Sequence, residues 1–264
     1  MKRKLVGIIK NLFVLYVVIC IALYFFQENI IFYPQKLDKS YSFNFTNNYE
    51  ELNFRTSDGK LLNGLLFKSD SSKGLIFYLH GNAGSLSGWG NVSTAYTTLH
   101  YDVFIFDYRG YGKSEGKISS QNQLLQDNQM VYDALKKKYQ EQDMIILGYS
   151  IGTGLASKLA ADNNPRKLIL QAPYYSLTDM MQQRLPLIPT FILKYKFATN
   201  EYLKNCKMPI TIFHGDRDQV IHNDASLRLK EQFKDKIKLV ILKGQGHNGM
   251  TDNKNYIQEL TKVL

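Results

Sequence analysis

The sequence predicts an α/β fold in which a mostly parallel sheet is covered by helices on both faces. Two observations lead to this prediction. Short apolar runs, typical of strands buried on both faces, recur along the chain, and helical patterns separate many of them. The chain of 264 residues is also long enough for one domain with a substantial core.

The first segment of the chain is an apolar stretch at residues 5–26 that follows three basic residues. Its length suits a membrane span, with Lys10 extending toward the headgroups. A cleavable signal peptide is the alternative, but bulky side chains occupy residues 23–26, where a small-residue cleavage site would be expected. We therefore expect a single-pass, uncleaved signal anchor with a cytoplasmic N-terminus and an extracytoplasmic main domain.

These patterns predict three parts of the chain. Residues 1–28 comprise the cytoplasmic flank and the transmembrane anchor, and residues 29–48 form a linker. Residues 49–264 form the main domain, and residues 174–207 within it are expected to form a small cap.

The main domain begins with a predicted hairpin, whose turn is marked by Asp58-Gly59. Apolar runs then predict buried strands at residues 74–80, 102–108, 143–150, 167–173, 209–215 and 237–244. Apolar spacing and composition predict helices at residues 88–100, 119–139 and 155–162, and further helical stretches follow the last two strands.

The segment at residues 174–207 interrupts this alternation and is rich in apolar side chains. We single out Leu185, Leu187, Ile188, Phe191 and Ile192. They belong either to an ordinary core helix or to a cap over the ends of the strands, where open α/β sheets bind their ligands.

Charge and composition exclude several functional classes. The net charge is +10, but the lysines are spread along the chain and no arginine-rich block occurs, which argues against nucleic-acid binding. A basic surface near anionic lipid is a more natural use of this charge. Two cysteines make no disulfide framework, and no metal-binding or dinucleotide-binding motif is present, so we expect no metal or cofactor.

The stretch GYSIGTG at residues 148–154 places Ser150 between Gly148 and Gly152. This G-x-S-x-G pattern is typical of a strand that turns sharply into a helix and presents a nucleophilic serine. Glycines are needed beside such a strained residue, because a Cβ atom there would collide with neighbouring backbone.

Polar residues with suitable chemistry follow other predicted strands. A serine is a poor nucleophile unless a base accepts its proton, and His247, between two glycines after the last strand, is the suitable base. An acid must then orient the imidazole, and both Asp216 and Asp218 follow the strand that ends at residue 215. The order serine, aspartate, histidine is the one expected of an α/β-hydrolase, and the N–H of Ile151 is the expected oxyanion donor.

From about residue 49 to its end, the chain resembles the α/β-hydrolase superfamily. The motifs that carry this resemblance are HGNAGS, DYRGYGKSEG, GYSIGTG, HGDRDQVI and GHN. The chain is most similar to a membrane-anchored branch related to the α/β-hydrolase-domain palmitoyl-protein thioesterases, and it also resembles serine aminopeptidase-like hydrolases. The resemblance implies that Asp218 is the acid of the triad and that the N–H of Asn82 is the second oxyanion donor. His80 is the alternative base, but we expect it to be structural and to bond loop backbone beneath the site, and we expect Asp107 and Arg109 to fix the loops through hydrogen bonds.

We therefore expect a membrane-anchored serine hydrolase that cleaves carboxylic esters or thioesters through an acyl-enzyme on Ser150. Its expected partners are the membrane, through the N-terminal helix, and a small-molecule or lipid-like substrate with an apolar acyl group. The alternatives are an aminopeptidase-like serine peptidase and a non-catalytic binding protein with the same fold.

Overall fold

An eight-stranded sheet forms the centre of residues 2–264, the part of the chain that this computed structural model describes. Its strands are β2 (Tyr49–Arg55), β3 (Leu61–Phe67), β4 (Leu75–Leu79), β6 (Asp102–Phe106), β7 (Met144–Tyr149), β8 (Lys167–Gln171), β9 (Ile210–Gly215) and β10 (Ile237–Leu242). Two short strands, β1 (Tyr33–Pro34) and β5 (Ala83–Gly84), pair separately. The α-helices are α1 (Lys2–Ile31), α2 (Leu86–Trp89), α3 (Thr94–Thr97), α4 (Gln121–Leu135), α5 (Gly152–Asp162), α6 (Leu177–Arg184), α7 (Thr199–Tyr202), α8 (Asp224–Gln232) and α9 (Lys254–Val263).

The order of the strands in the large sheet is β10-β9-β8-β7-β4-β6-β3-β2. The pairs β2–β3 and β3–β6 are antiparallel, and all the other pairs are parallel, which confirms the predicted mostly parallel sheet. The predicted hairpin is also confirmed, since β2 and β3 flank a turn in which Gly59 has a φ of +81°.

Helices cover both faces of the sheet, because successive side chains of a strand point to opposite sides. On β4, Phe77 packs in one core cluster with Leu124 of α4 and Leu155 of α5. Its neighbour Tyr78 packs in the other cluster with Tyr256 of α9. The sheet is therefore buried between two layers of helices. The loops at the ends of its strands are the places where polar side chains can reach a ligand.

Some predicted helices are shorter or more broken than the sequence pattern indicates. The stretch expected to be helical at residues 88–100 consists of α2, a 3-10 turn at Gly90–Ser93 and α3. Gly88 and Gly90 are poor helix formers, which accounts for the interruption. The predicted helix at residues 119–139 is confined to α4, whose first turn is capped by the Ser120 side chain.

Helix α1 is long and apolar enough, by length and composition, to cross a membrane. Among its described side chains only Gln27 is buried, so nearly all of its apolar surface faces outward. The helix continues to Ile31, beyond the boundary expected at residue 28, and its last turns pack against the main domain.

Residues 29–48, the expected linker, are attached to the main domain along their length. Strand β1 pairs in parallel with β5, Lys36 forms a bridge with Gly112, and the ring of Phe43 is buried in the core. Backbone pairing and aromatic burial therefore fix this segment to the domain, directly beside the loop that follows β4.

Candidate active site

The turn between β7 and α5 carries Ser150 in a left-handed conformation, with a φ of +53°. Two glycines make this turn possible. A Cβ atom on Gly148 would lie 2.5 Å from the Gly152 carbonyl oxygen, and one on Gly152 would collide with the Leu79 carbonyl oxygen. The Ser150 carbonyl accepts hydrogen bonds from the N–H and the hydroxyl of Thr153, which hold the strained residue in place.

Ser150, His247 and Asp218 form one continuous hydrogen-bonded chain, although they lie on three separate loops. The Ser150 Oγ is 3.0 Å from His247 Nε2. On the other side of the ring, His247 Nδ1 is 2.7 Å from Asp218 Oδ2. These distances suit transfer of the serine proton to the imidazole while the carboxylate orients the ring.

Asp218 is buried and well supplied with donors. Its Oδ1 accepts from the backbone N–H groups of Val220 and Ile221, each at 2.8 Å. Its Oδ2 also lies 3.3 Å from Nε2 of a second histidine, His214. Burial raises the pKa of Asp218, but hydrogen bonds from His214, His247 and the Ile221 backbone outweigh it and hold that pKa well below the usual range. The carboxylate is therefore ionised at neutral pH.

Asp216, the other candidate acid, takes a different position. Its side chain is exposed, and Oδ1 accepts a hydrogen bond of 2.6 Å from the Gly244 N–H. It thus fixes the loop after β10, whereas Asp218 contacts the histidine.

The two residues predicted to supply the oxyanion donors, Asn82 and Ile151, line the same cavity as Ser150. Among residues 2–264, neither the Asn82 N–H nor the Ile151 N–H donates to another protein group, so both are available to a ligand. The Asn82 carbonyl accepts from the Tyr33 N–H at 2.8 Å and from the Tyr111 hydroxyl at 2.7 Å. The peptide planes of this loop are therefore fixed before a substrate arrives, as an oxyanion hole requires.

A cavity of about 280 Å³ opens at Ser150, Asn82 and Ile151, close to the lower end of the size range of ligand pockets. Its other walls come from two sources. Helix α1 contributes Leu23, Gln27, Ile30 and Ile31, and the cap segment contributes mainly Leu177, Met180, Met181, Leu185 and Ile192. The cavity is mostly apolar, with the serine at one end.

Over residues 70–202, about half of its length, the chain matches the family described as Serine aminopeptidase, S33. It is 30% identical over 217 residues to alpha/beta hydrolase domain-containing protein 17B of Xenopus tropicalis, covering 80% of this chain and 73% of that protein. The chain belongs to this family and to the α/β-hydrolase superfamily.

A second relative of this chain is the lysophosphatidylserine lipase ABHD12 of Danio rerio, 31% identical over 172 residues. That match covers 57% of this chain but only 45% of the lipase, so the chain spans less than half of that relative's length. Among solved structures, an esterase from Pyrococcus furiosus superposes with a TM-score of 0.71 at 18% identity, covering 89% of this chain and 96% of the esterase. At that identity the likeness shows the fold alone.

The cap segment at residues 174–207 differs in part from the sequence expectation. Leu185 and Ile192 line the cavity, but Leu187, Ile188 and Phe191 do not. The side chains of Leu187 and Phe191 are 82% and 83% exposed, because the segment after α6 is an extended loop with one short 3-10 turn and not a continuous helix over the site.

Several residues at the site were not anticipated from the sequence. His214 was treated as part of the strand that ends beside Asp218, although its imidazole contacts that aspartate. Met180 and Met181 lie within the expected cap at residues 174–207 but precede the five apolar residues named there, and α1 lines the cavity in addition to its expected role as an anchor. The available signal was a polar residue, Gln27, on the same helix face as Leu23 and Ile30 at the end of the apolar stretch.

Among residues 2–264, no cluster of three or more His, Cys, Asp or Glu side chains is arranged to hold a metal ion.

Beneath the site lies a fully buried pair, His80 and Asp107, whose Nε2 and Oδ1 atoms are 3.7 Å apart. His80 Nδ1 is 2.7 Å from the Gly81 carbonyl, so Nδ1 carries the proton and Nε2 faces Asp107 as an acceptor. Burial raises the pKa of Asp107 to about 8 and lowers the pKa of His80 to about 4. A protonated Asp107 opposite a neutral His80 is the consistent state at neutral pH.

This pair predicts how stability changes with pH. Between about pH 4 and 6.5, the folded pair holds a proton on Asp107 and the unfolded pair holds one on His80, so their effects cancel. Between about pH 6.5 and 8 only the folded state keeps the proton. The free energy of unfolding should therefore fall by about 1.4 kcal/mol per pH unit in that window.

Urea denaturation at several pH values measures this slope. Asp107→Asn should remove it, since an amide still accepts from the Leu86 N–H but does not titrate. Equal slopes in the two proteins would contradict the assignment of the proton to Asp107.

Proposed function

We propose that the protein is a membrane-anchored serine hydrolase that cleaves carboxylic esters or thioesters with an apolar acyl group, through an acyl-enzyme on Ser150. The observation that carries the proposal is the chain from Ser150 Oγ to His247 Nε2 at 3.0 Å and from His247 Nδ1 to Asp218 Oδ2 at 2.7 Å. It stands at the end of an apolar cavity, where an acyl chain would be held next to the nucleophile.

The proposed reaction has two halves. His247 accepts the Ser150 proton as Oγ attacks the carbonyl carbon, and the Asn82 and Ile151 N–H groups stabilise the oxyanion. The histidine then returns the proton to the departing alcohol or thiol. Water, activated by the same histidine, hydrolyses the acyl-enzyme and releases the fatty acid.

The names of the relatives support an ester-cleaving activity, since one is described as a lysophosphatidylserine lipase. The family description, in contrast, suggests an aminopeptidase. An aminopeptidase needs a negative group to bind the free amino terminus of its substrate. Among the described residues that line the cavity, the only charged one is Arg184, which has the wrong sign, so the site favours acyl substrates.

We also propose that α1 is retained as the membrane anchor, with the N-terminus in the cytoplasm and the catalytic domain on the other side. The basic residues before the apolar stretch favour this orientation. Cleavage after α1 would remove Leu23, Gln27, Ile30 and Ile31 from the cavity wall, which is a structural reason to keep the helix.

A series of p-nitrophenyl esters of increasing acyl length, assayed with the detergent-solubilised full chain, tests the proposed substrate class. Each methylene buried in the cavity contributes about 0.8 kcal/mol, so kcat/KM should rise by up to about fourfold per carbon until the cavity is full. Aminoacyl p-nitroanilides should not be hydrolysed.

In the same assay, two variants test whether the acyl chain binds in the cavity. Met181→Ser changes a half-buried cavity residue and should flatten the dependence on chain length, whereas Phe191→Ser changes an exposed residue outside the cavity and should leave it unchanged. Preferential hydrolysis of the aminoacyl anilides would reverse the choice between esterase and peptidase.

A further inference from the structure

The last two turns of α1 are fastened to the cap by polar contacts. Gln27 is buried, and its Nε2 donates to the Ile192 carbonyl at 3.1 Å while its Oε1 accepts from the Lys194 N–H at 2.8 Å. Glu28 pairs with the Lys194 ammonium at 3.1 Å and accepts from the Tyr195 hydroxyl at 3.1 Å. A helix that served only as a tether would not need these buried bonds.

The same turns form one wall of the cavity. Leu23, Gln27, Ile30 and Ile31 recur at the spacing of one helix face, and all four line the space in front of Ser150. The Ile31 carbonyl also accepts a hydrogen bond of 3.2 Å from the Asn82 side chain. The end of α1 therefore lies beside both the acyl cavity and the proposed oxyanion donor.

The tip of the cap runs back along α1, away from the domain. The Tyr16 hydroxyl donates to the Leu187 carbonyl at 2.9 Å, and Tyr16 precedes Gln27 by 11 residues, or about 16 Å of helix. In this part of the cap, Leu187 and Phe191 are 82% and 83% exposed. The contact with Tyr16 places Leu187 beside the apolar stretch of α1, whose side chains are exposed as well, and Phe191 follows between this contact and the Ile192 carbonyl that binds Gln27.

Two features indicate that this level is hydrocarbon and not water. Exposed apolar side chains on both α1 and the cap tip would form one continuous apolar surface in water, which soluble proteins avoid. In a bilayer, in contrast, a cap carbonyl would need an internal hydrogen-bond donor, because lipid tails offer none. The Tyr16 hydroxyl supplies that donor to Leu187.

We propose that the cap tip inserts into the extracytoplasmic leaflet, beside the second half of α1, and that the cavity between them receives an acyl chain sideways from the bilayer. The substrate is then a membrane-resident amphiphile. Its tail passes between Leu23 of α1 and the cap, and its ester or thioester carbonyl stays near Ser150, at the level where the polar residues Gln27 and Glu28 begin. This inference rests on the proposed hydrolase function. It adds the route by which the substrate enters, from the bilayer, and the role of α1 as one wall of the acyl cavity.

The wall is tested with the full chain reconstituted in nanodiscs. Leu23→Trp fills part of the cavity from the helix side and should lower the ratio of kcat/KM for dodecanoyl over acetyl p-nitrophenyl ester by about tenfold or more, since hydrophobic pockets discriminate on this scale. The matched control is Phe25→Trp, on the opposite face of the same helix and 65% exposed, which should leave the ratio unchanged.

Equal ratios in the two variants would overturn the proposed wall. If the wild-type protein hydrolyses none of the esters and Ser150 reacts with no fluorophosphonate, the hydrolase function itself fails. The two failures are therefore distinguishable.

Insertion of the cap tip is tested by tryptophan fluorescence in liposomes that contain brominated lipids. The chain has one tryptophan, Trp89, which sets the baseline. Phe191→Trp should add emission that the brominated lipids quench. Gln142→Trp is the control, because Gln142 is exposed and precedes β7, at the opposite end of the strand from Ser150. If the added Phe191→Trp emission is quenched no more than that of Gln142→Trp, the tip lies outside the bilayer and the proposal is wrong.

Discussion

Replacing Ser150 by alanine is expected to abolish both fluorophosphonate labelling and hydrolysis of acyl esters, with a loss in kcat of about 10⁶-fold. The reason is geometric. Ser150 Oγ lies within hydrogen-bond distance of His247 Nε2, and Ser150 lines the same cavity as Asn82 and Ile151, whose N–H groups have no other partner in residues 2–264. Without this oxygen no acyl-enzyme forms, and the remaining donors have no attacking group to assist. Labelling by an activity-based probe and turnover of a p-nitrophenyl ester measure the two losses separately.

The matched control is Ser157→Ala. Ser157 is buried on α5, on the same helix that begins after Ser150, and its hydroxyl has no hydrogen-bond partner among the described residues. This variant should keep full labelling, and both variants should show the same thermal unfolding. Labelling that persists in Ser150→Ala would place the nucleophile on another serine.

Members of a catalytic triad act as a unit, so their effects should not add. His247→Ala alone should remove nearly as much activity as Ser150→Ala, and the double variant should be little worse than either. Additive losses would mean that the two residues act independently, contrary to their 3.0 Å contact.

The sequence was informative where chemistry depends on local geometry. A serine between glycines after an apolar run requires a sharp turn, and the structure places Ser150 at a φ of +53°. The residues after β9 and β10 meet Ser150 because parallel strands end at the same edge of the sheet. Strand positions alone therefore brought the three candidate side chains together.

The sequence was less informative where the site depends on contacts between distant segments. Gln27 bonds to Ile192, 165 residues away, and no periodicity within either segment predicts that the two meet. The cap was identified by its apolar content, but apolar side chains can face a cavity, as Ile192 does, or point outward, as Phe191 does. Only the path of the chain decides between these two environments.

Neutralising the proposed triad acid, with Asp218→Asn, is expected to lower kcat by about 10⁴-fold, the scale observed when a triad aspartate becomes an amide. Asp218 Oδ2 accepts the proton on His247 Nδ1 at 2.7 Å, which leaves Nε2 free to accept the Ser150 proton. An asparagine can turn its NH₂ group toward Nδ1, which favours the wrong tautomer. It also lacks the charge that stabilises the imidazolium formed during attack.

The neighbouring aspartate provides the matched control for this prediction. Asp216→Asn removes the same charge two residues away, but Asp216 is exposed and its acceptor role toward the Gly244 N–H can be taken by an amide oxygen. Its turnover should therefore stay within a few-fold of the wild type. Rates are compared at saturating ester concentration near neutral pH. The lowered pKa of Asp218 keeps the wild-type carboxylate ionised there, so Asp218→Asn differs from the wild type by a full charge.

The opposite ranking of the two variants would transfer the role of the acid to Asp216. Similar small losses in both would mean that contacts other than those with these two aspartates orient the His247 ring.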